Sequence, residues 1–280
     1  MTMALPPATI TILVDNQAGP DLATEHGLAL WIETRDGPLL FDTGQGAVLP
    51  GNARTLGIDL RRTAHLVLSH GHYDHTGGVP HVLMAAPGVH VHCHPGVVQP
   101  RYRRREESPK AIQMPRGAMA ALDRLPENQL HWISEATFLT EAIGLTGPIP
   151  RQTTFEDTGG PFYQDPETRR PDPINDDQAL WIRTDQGLVI CVGCCHAGLI
   201  NTLNHIRRLS GVQTIRAVIG GLHLINADRR RLDETVAALQ RLAVGNVIPC
   251  HCTGERAVSV LKTALDAEVQ AGVSGAVYRF

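Results

Sequence analysis

Ser69-His70-Gly71-His72-Tyr73-Asp74-His75-Thr76-Gly77-Gly78 follows directly on the apolar run Leu66-Val67-Leu68. That run is too short for a helix and reads as a buried strand. His70, His72, Asp74 and His75 therefore leave a strand end together and enter a glycine-bounded loop. The φ/ψ freedom of glycine lets several side chains of such a loop converge on one point. The spacing lets His70 and His72 reach one ion while Asp74 and His75 turn toward a second. Imidazole and carboxylate together suit zinc, with iron or manganese as alternatives. A lone histidine is more often a hydrogen-bonded structural group than a ligand, but four ligating side chains at this spacing argue for metal.

Outward from this loop the first third reads as strands joined by turns: Thr9 to Val14, Leu28 to Glu33, and Leu39 to Phe41 after the turn Asp36-Gly37-Pro38. Thr63 to Leu68 delivers the motif, Val79 to Ala86 reads as a helix, and Val89 to His94 alternates as a strand. From Pro95 to about Pro173 the periodicity fades among prolines, the basic cluster Arg101 to Arg105 and the turn-rich stretch Asp157 to Pro173. Such a stretch reads as an insertion, about 95–173, covering one side of a site, as lids often do. Regular alternation then returns, with strands at Ala179 to Arg183, Leu188 to Val192, Ala217 to Ile219 and Asn246 to Pro249. Helices are expected at Leu199 to Leu209, Arg230 to Leu242 and Glu255 to Ala267. The mixture favours an α/β sandwich over an all-β fold.

Composition narrows the function classes. At 280 residues and a formal charge of -3 the chain has no basic footprint for nucleic acid. Met1 to Val14 lacks a basic start and a long apolar core, so no secretory signal is expected. No apolar run reaches membrane-spanning length. A cytoplasmic protein acting on a small molecule is the expectation. In a reducing compartment the cysteines are expected as free thiols. Cys93 and Cys191 read as core residues, while Cys194, Cys195, Cys250 and Cys252 flank histidines and stay open.

Three further histidines sit just past predicted strands: His196 within Gly193-Cys194-Cys195-His196-Ala197-Gly198, His223 after Gly220-Gly221-Leu222, and His251 after Cys250. Strand C-terminal edges are where α/β proteins gather their functional groups. His90, His92 and His94 share one strand face by their two-residue spacing, and a polar face is the simpler reading there.

His70-x-His72-x-Asp74-His75, preceded by Leu39-Leu40-Phe41-Asp42-Thr43-Gly44, resembles the signature of the metallo-β-lactamase superfamily. More narrowly, the chain is similar to the branch named for 7,8-dihydropterin-6-methyl-4-(β-D-ribofuranosyl)-aminobenzene-5′-phosphate synthase. That likeness rests on Glu25-His26-Gly27-Leu28, the His70 loop, the His196 turn, Gly220-Gly221-Leu222-His223-Leu224 and Cys250-His251-Cys252-Thr253-Gly254. The resemblance implies one αβ/βα sandwich over residues 1–280. It implies that His196 completes a first metal site with His70 and His72, and His251 a second with Asp74 and His75. Many two-metal relatives carry a bridging aspartate where this chain has Gly193-Cys194. Either Asp176 or Asp177 replaces it, or hydroxide alone bridges the ions, or one site is weak.

Asp42 is expected to hold the loop or a histidine N–H rather than a metal. His223 is expected to touch the substrate or its leaving group, donating a proton. Arg151, in an Ile-Pro-Arg segment like that of the related branch, is expected to contact an anion. The Arg101 to Arg105 cluster, followed by two glutamates, is expected to be a solvated loop. The activity expected is that of a dinuclear metal-dependent hydrolase, with two divalent ions, zinc first, activating a hydroxide against an ester, lactone or phosphoryl substrate. Asp74 would serve both metal and attacking water. The alternatives are the transferase chemistry for which the branch is named, and a non-catalytic ligand-binding member of the fold.

Overall fold

The computed structural model describes residues 8–280; of the stretch expected to lack a signal, residues 1–7 lie outside the described residues. Among the described residues two seven-stranded sheets face each other. The first runs in the order Val277–Arg279, Thr9–Val14, Ala29–Thr34, Gly37–Phe41, His65–Val67, His90–Cys93, Leu130–Trp132. The second runs Glu268–Val269, Asn246–Cys250, Ile215–Gly221, Gly187–Val192, Ala179–Thr184, Ile143–Leu145, Thr137–Phe138. Each begins with antiparallel hairpins and continues with parallel strands linked through helices.

Strand alternation produces the layers. Ile10, Ile12, Ile32, Leu39 and Phe41 point inward and meet Leu180, Ile182, Val189 and Ile219 of the opposite sheet. Trp31, Leu40, Leu66 and Val91 point outward, against the helices Leu49–Thr55, Val79–Ala85 and Arg116–Leu122. On the far side Trp181, Ile190, Val192 and Val218 pack on the helices Leu199–Ser210, Arg229–Leu242 and Glu255–Ala264. Helices, sheet, sheet, helices is an αβ/βα sandwich. No helix among the described residues is long and apolar enough to cross a membrane.

The insertion expected over 95–173 is narrower than those bounds. Arg116–Leu122 is one of the outer helices, and Leu130–Trp132, Thr137–Phe138 and Ile143–Leu145 extend the main sheets. These strands are two or three residues long, too short for periodicity to register. What stands outside the sandwich is a three-stranded sheet of Phe162–Tyr163, Tyr102–Arg103 and Lys110–Ala111. It is drawn from two separated stretches of chain and caps the loop at His70–His75, with the amide of Tyr73 donating to the carbonyl of Ile112 at 3.0 Å.

Candidate metal centre

His70 to His75 leave the strand His65–Val67 and run into the single helical turn Tyr73–Thr76. Glycine at 71 is required by packing, because a Cβ there would collide with the Val97 carbonyl and the Arg101 guanidinium. His196 follows the strand Gly187–Val192, His223 follows Ile215–Gly221, and His251 follows Asn246–Cys250. All these strand ends open on the same edge of the sandwich. Asp42, Cys195, His223 and His251 have positive φ (61°, 57°, 45° and 47°). Such backbone costs about 1–3 kcal/mol per residue and concentrates at functional sites.

Four histidines are held by their Nδ1 atoms. Nδ1 of His75 donates to Asp42 at 2.7 Å, and Nδ1 of His70 donates to the Ser69 hydroxyl at 2.9 Å. That hydroxyl in turn donates to Asp42 at 2.7 Å. Nδ1 of His196 donates to the Thr158 carbonyl, and Nδ1 of His251 to the Asn16 side-chain oxygen, both at 2.8 Å. A ring fixed in this way presents a bare Nε2 lone pair, the arrangement that such hydrogen-bond partners impose on metal-binding histidines. The Nε2 atoms of His196 and His251 are buried and have no hydrogen-bond partner. His72 sits beside His70, with its Nδ1 2.8 Å from the His70 Nε2 and its own Nε2 without a partner.

The side chains gather in four overlapping groups, two of them Cys194 with His223 and Cys252, and His26 with Asp74 and His251. Donor atoms of His70, Cys194 and His196 lie within 4.8 Å of one another, and so do those of His75, Cys194 and His251. Asp74 lies 3.3 Å from the Nε2 of His251, 3.2 Å from that of His26 and 4.0 Å from that of His75. Buried imidazoles and a carboxylate with aligned lone pairs fit divalent zinc-type ions. The structure thus brings together His70, His72 and His196 on one side, and Asp74, His75 and His251 on the other.

Electrostatics follow burial. Desolvation, aided by neighbouring histidines, drives the pKa of His70 and His196 well below the usual value. Desolvation and Arg101 do the same at His72. At His75 burial also acts downward, but the Asp42 carboxylate outweighs it and lifts the pKa to about 9. Burial would raise Asp74; the imidazoles of His251 and His26 beside it outweigh this and hold the carboxyl well below the ordinary range.

Of the two candidates for a bridging carboxylate, Asp176 is engaged at both oxygens, whereas Asp177 keeps one buried oxygen without a partner. Asp176 is consumed by Arg101 and by the amide of Gly71, which donates at 2.8 Å. Asp177 accepts from the Ala197 amide at 2.6 Å, is pushed by burial to about 7, and belongs to none of the ligand groups. Arg151, expected on an anion, donates instead to the carbonyls of His196 and Pro173. Its guanidinium fork therefore braces the His196 turn. The basic cluster is not one solvated loop: Arg101 is 1% exposed and paired to Asp172 and Asp176. Arg103 and Arg105 reach the mouth of the cavity.

That cavity, of about 280 Å³, has Asp74, Cys194, His223 and His251 in its floor, and Arg103, Lys110 and Phe162 among its walls. His223 is 8% exposed, its Nδ1 has no partner, and its ring centroid lies 4.4 Å from that of His196. Gly159, at φ +84°, packs so tightly on the His223 ring that a Cβ would overlap it. His94 accepts from the Gly96 amide and is a local cap. His90 and His92 instead pair across strands with His131 and His65, at 2.9 and 3.0 Å.

Sequence reasoning missed Asn16, Ser69 and the Thr158 carbonyl, and left Cys194 open. Only Cys194 carried a signal, because it stands at the step where the relatives' aspartate is expected.

The model of the metallo-β-lactamase superfamily matches residues 23–199. The chain belongs to this superfamily. Over 269 residues, 92% of this chain and 90% of the relative, it is 27% identical to the 7,8-dihydropterin-6-methyl-4-(β-D-ribofuranosyl)-aminobenzene-5′-phosphate synthase of Methanocaldococcus jannaschii. An uncharacterized protein of the same organism is 29% identical over 253 residues, 90% of this chain and 93% of that one. Among solved structures, Tm1679, described as a metal-dependent hydrolase of the β-lactamase superfamily, is 29% identical with a TM-score of 0.82, covering 97% of this chain and 98% of its own. Members of the superfamily typically bind divalent metals, and the clusters of His, Cys and Asp side chains in this chain are of the matching kind.

Proposed function

We propose that this member of the metallo-β-lactamase superfamily is a dinuclear metal-dependent hydrolase acting on a small molecule with an ester, lactone or phosphoryl centre. The observation that carries the reading is the set of four buried histidines whose Nδ1 atoms are all engaged, leaving Nε2 atoms to converge. His70, His72 and His196 would hold one ion, and Asp74, His75 and His251 the other. Ions bound there would supply a Lewis acid and a water acidified to a pKa of about 7. Asp74, ionised at neutral pH, accepts a hydrogen bond from the attacking water and orients it. His223 donates a proton to the departing oxygen from the cavity floor. Arg103 and Lys110 stand at the mouth, where a cationic wall favours an anionic substituent.

A second reading, transfer chemistry on a pterin and a ribofuranosyl-aminobenzene phosphate, is favoured by the 27% identity to the M. jannaschii synthase. Elemental analysis of the reconstituted protein, combined with turnover on ester, lactone and phosphodiester panels, tests the first reading. Two ions per chain with hydrolysis of one class supports it. Two ions with no hydrolysis, and product formed only from the pterin and its phosphate partner, moves the assignment to the transferase. One ion per chain sinks the dinuclear claim.

A further inference from the structure

We propose that Cys194 enters the centre as a thiolate and bridges the two ions, in the place where relatives put a carboxylate; the inference rests on the dinuclear reading above. One sulfur atom is common to both ligand groups, the one with His70 and His196 and the one with His75 and His251. No other donor among the described residues belongs to both. The Sγ lies 3.1 Å from the Nε2 of His75. Its place is fixed by the end of the strand Gly187–Val192 and by the positive φ of Cys195, which turns the chain toward His196.

Four of the other five cysteines show what a packing thiol looks like here. Cys191 and Cys250 lie in the apolar layer between the sheets, Cys195 lies among the residues under the outer helices, and Cys93 lies behind the first sheet. Cys194 belongs to none of these clusters although it is 3% exposed. Its neighbours are imidazoles and the Cys252 thiol, which also lies outside those clusters. Of the nearby carboxylates, Asp176 is engaged by Arg101 and Gly71, and Asp177, bonded through one oxygen to the Ala197 amide, lies in none of the ligand groups.

On ion entry the thiol would release its proton to solvent and form sulfur–metal bonds, with no change of oxidation state. A thiolate supplies the same single negative charge as the carboxylate it replaces, but it is a softer donor. Soft donors select zinc, cobalt or iron over magnesium and calcium.

Cobalt(II) titration of the reduced full-length chain tests this, because a thiolate on cobalt gives an intense charge-transfer absorption that imidazole and carboxylate do not. The wild type is expected to bind two cobalt ions per chain, with the absorption growing over both equivalents. Cys252→Ser, which removes the neighbouring thiol, should keep it. Cys194→Ser should lose it at both equivalents with unchanged circular dichroism. Cys194→Asp, which restores an anionic donor, should bind two ions without it. Two ions bound with no thiolate absorption in the wild type, or absorption that survives Cys194→Ser, would overturn the bridge while leaving the dinuclear reading intact. Absorption that grows with only one equivalent makes Cys194 a ligand of one ion and also overturns the bridge. Failure of the wild type to take up two ions sinks both the bridge and the reading beneath it.

Discussion

Asp42 steers His70 as well as His75: it accepts the His75 Nδ1 proton directly and the Ser69 hydroxyl that in turn holds the His70 ring. One carboxylate thus orients an imidazole on each side of the centre. It also accepts the Ser69 amide at 2.7 Å, which fixes the loop that carries both rings.

Asp42→Asn should therefore weaken both metal sites together, by about 10–100-fold in affinity, the usual effect of losing a ligand's supporting partner. Competition against a calibrated chelator measures it. Weakening confined to one ion would refute the shared role of Asp42.

Asp74→Ala should abolish most turnover and weaken the ion held with His75 and His251, while the sandwich stays folded. The residue lies in the helical turn Tyr73–Thr76, outside the apolar clusters, so no core contact is lost. Turnover, metal content and circular dichroism on one preparation decide it; unchanged turnover would remove Asp74 from any part in handling water.

His223→Ala separates ligand from proton donor. With both triads complete without it, metal content should stay near wild type while kcat falls by about 10²–10⁴, the range for losing a general acid. Loss of an ion would make His223 a ligand, and normal kinetics would leave it a packing residue.

Arg101 joins the two stretches that form the cap. It donates to Asp172 from one side of the guanidinium and to Asp176 from the other, all three side chains being buried. Arg101→Ala should cost about 3–5 kcal/mol, because it strands two buried carboxylates. Urea denaturation reads the loss. A variant as stable as wild type would show that the cap does not contribute to global stability.

The histidine pairs at the sheet edge set a pH dependence of stability. Burial, with His65, His131 and His90 close by, pushes the His92 pKa down to about 3. The unfolded chain takes up this proton near the ordinary histidine value of about 6.5. Between those values the unfolded state binds more protons, so stability rises with pH across the window and is lost as pH falls through it. His92→Gln should flatten that slope in urea midpoints measured from neutral to acid pH. A slope equal to wild type would rule out His92 as its source.

The candidate ligand groups were legible where residues cluster in sequence. His70, His72, Asp74 and His75 declare themselves by spacing, and His196, His223 and His251 by following apolar strands. The main strands were legible too, since Thr9–Val14 and Gly187–Val192 are long enough to show β-branched runs. Partners distant in sequence left no trace. Nothing near Arg101 announces Asp176, 75 residues on, and nothing near His251 announces Asn16, 235 residues back. The two carbonyls that Arg151 braces, those of His196 and Pro173, likewise have no signal in the sequence around it. The strands inside 95–173 were hidden because pairs of two or three residues are defined by their neighbours rather than by their own pattern.

The strand Val277–Arg279 pairs with Thr9–Val14 and forms the outer edge of the first sheet. On a ribosome, residues 9–14 would therefore emerge long before the strand that covers their free edge. Asn16 must likewise wait for the His251 ring that it orients. The outer edge of residues 9–14 thus stays open until the end of synthesis, and a complete centre can be loaded only after residue 251 has cleared the exit tunnel.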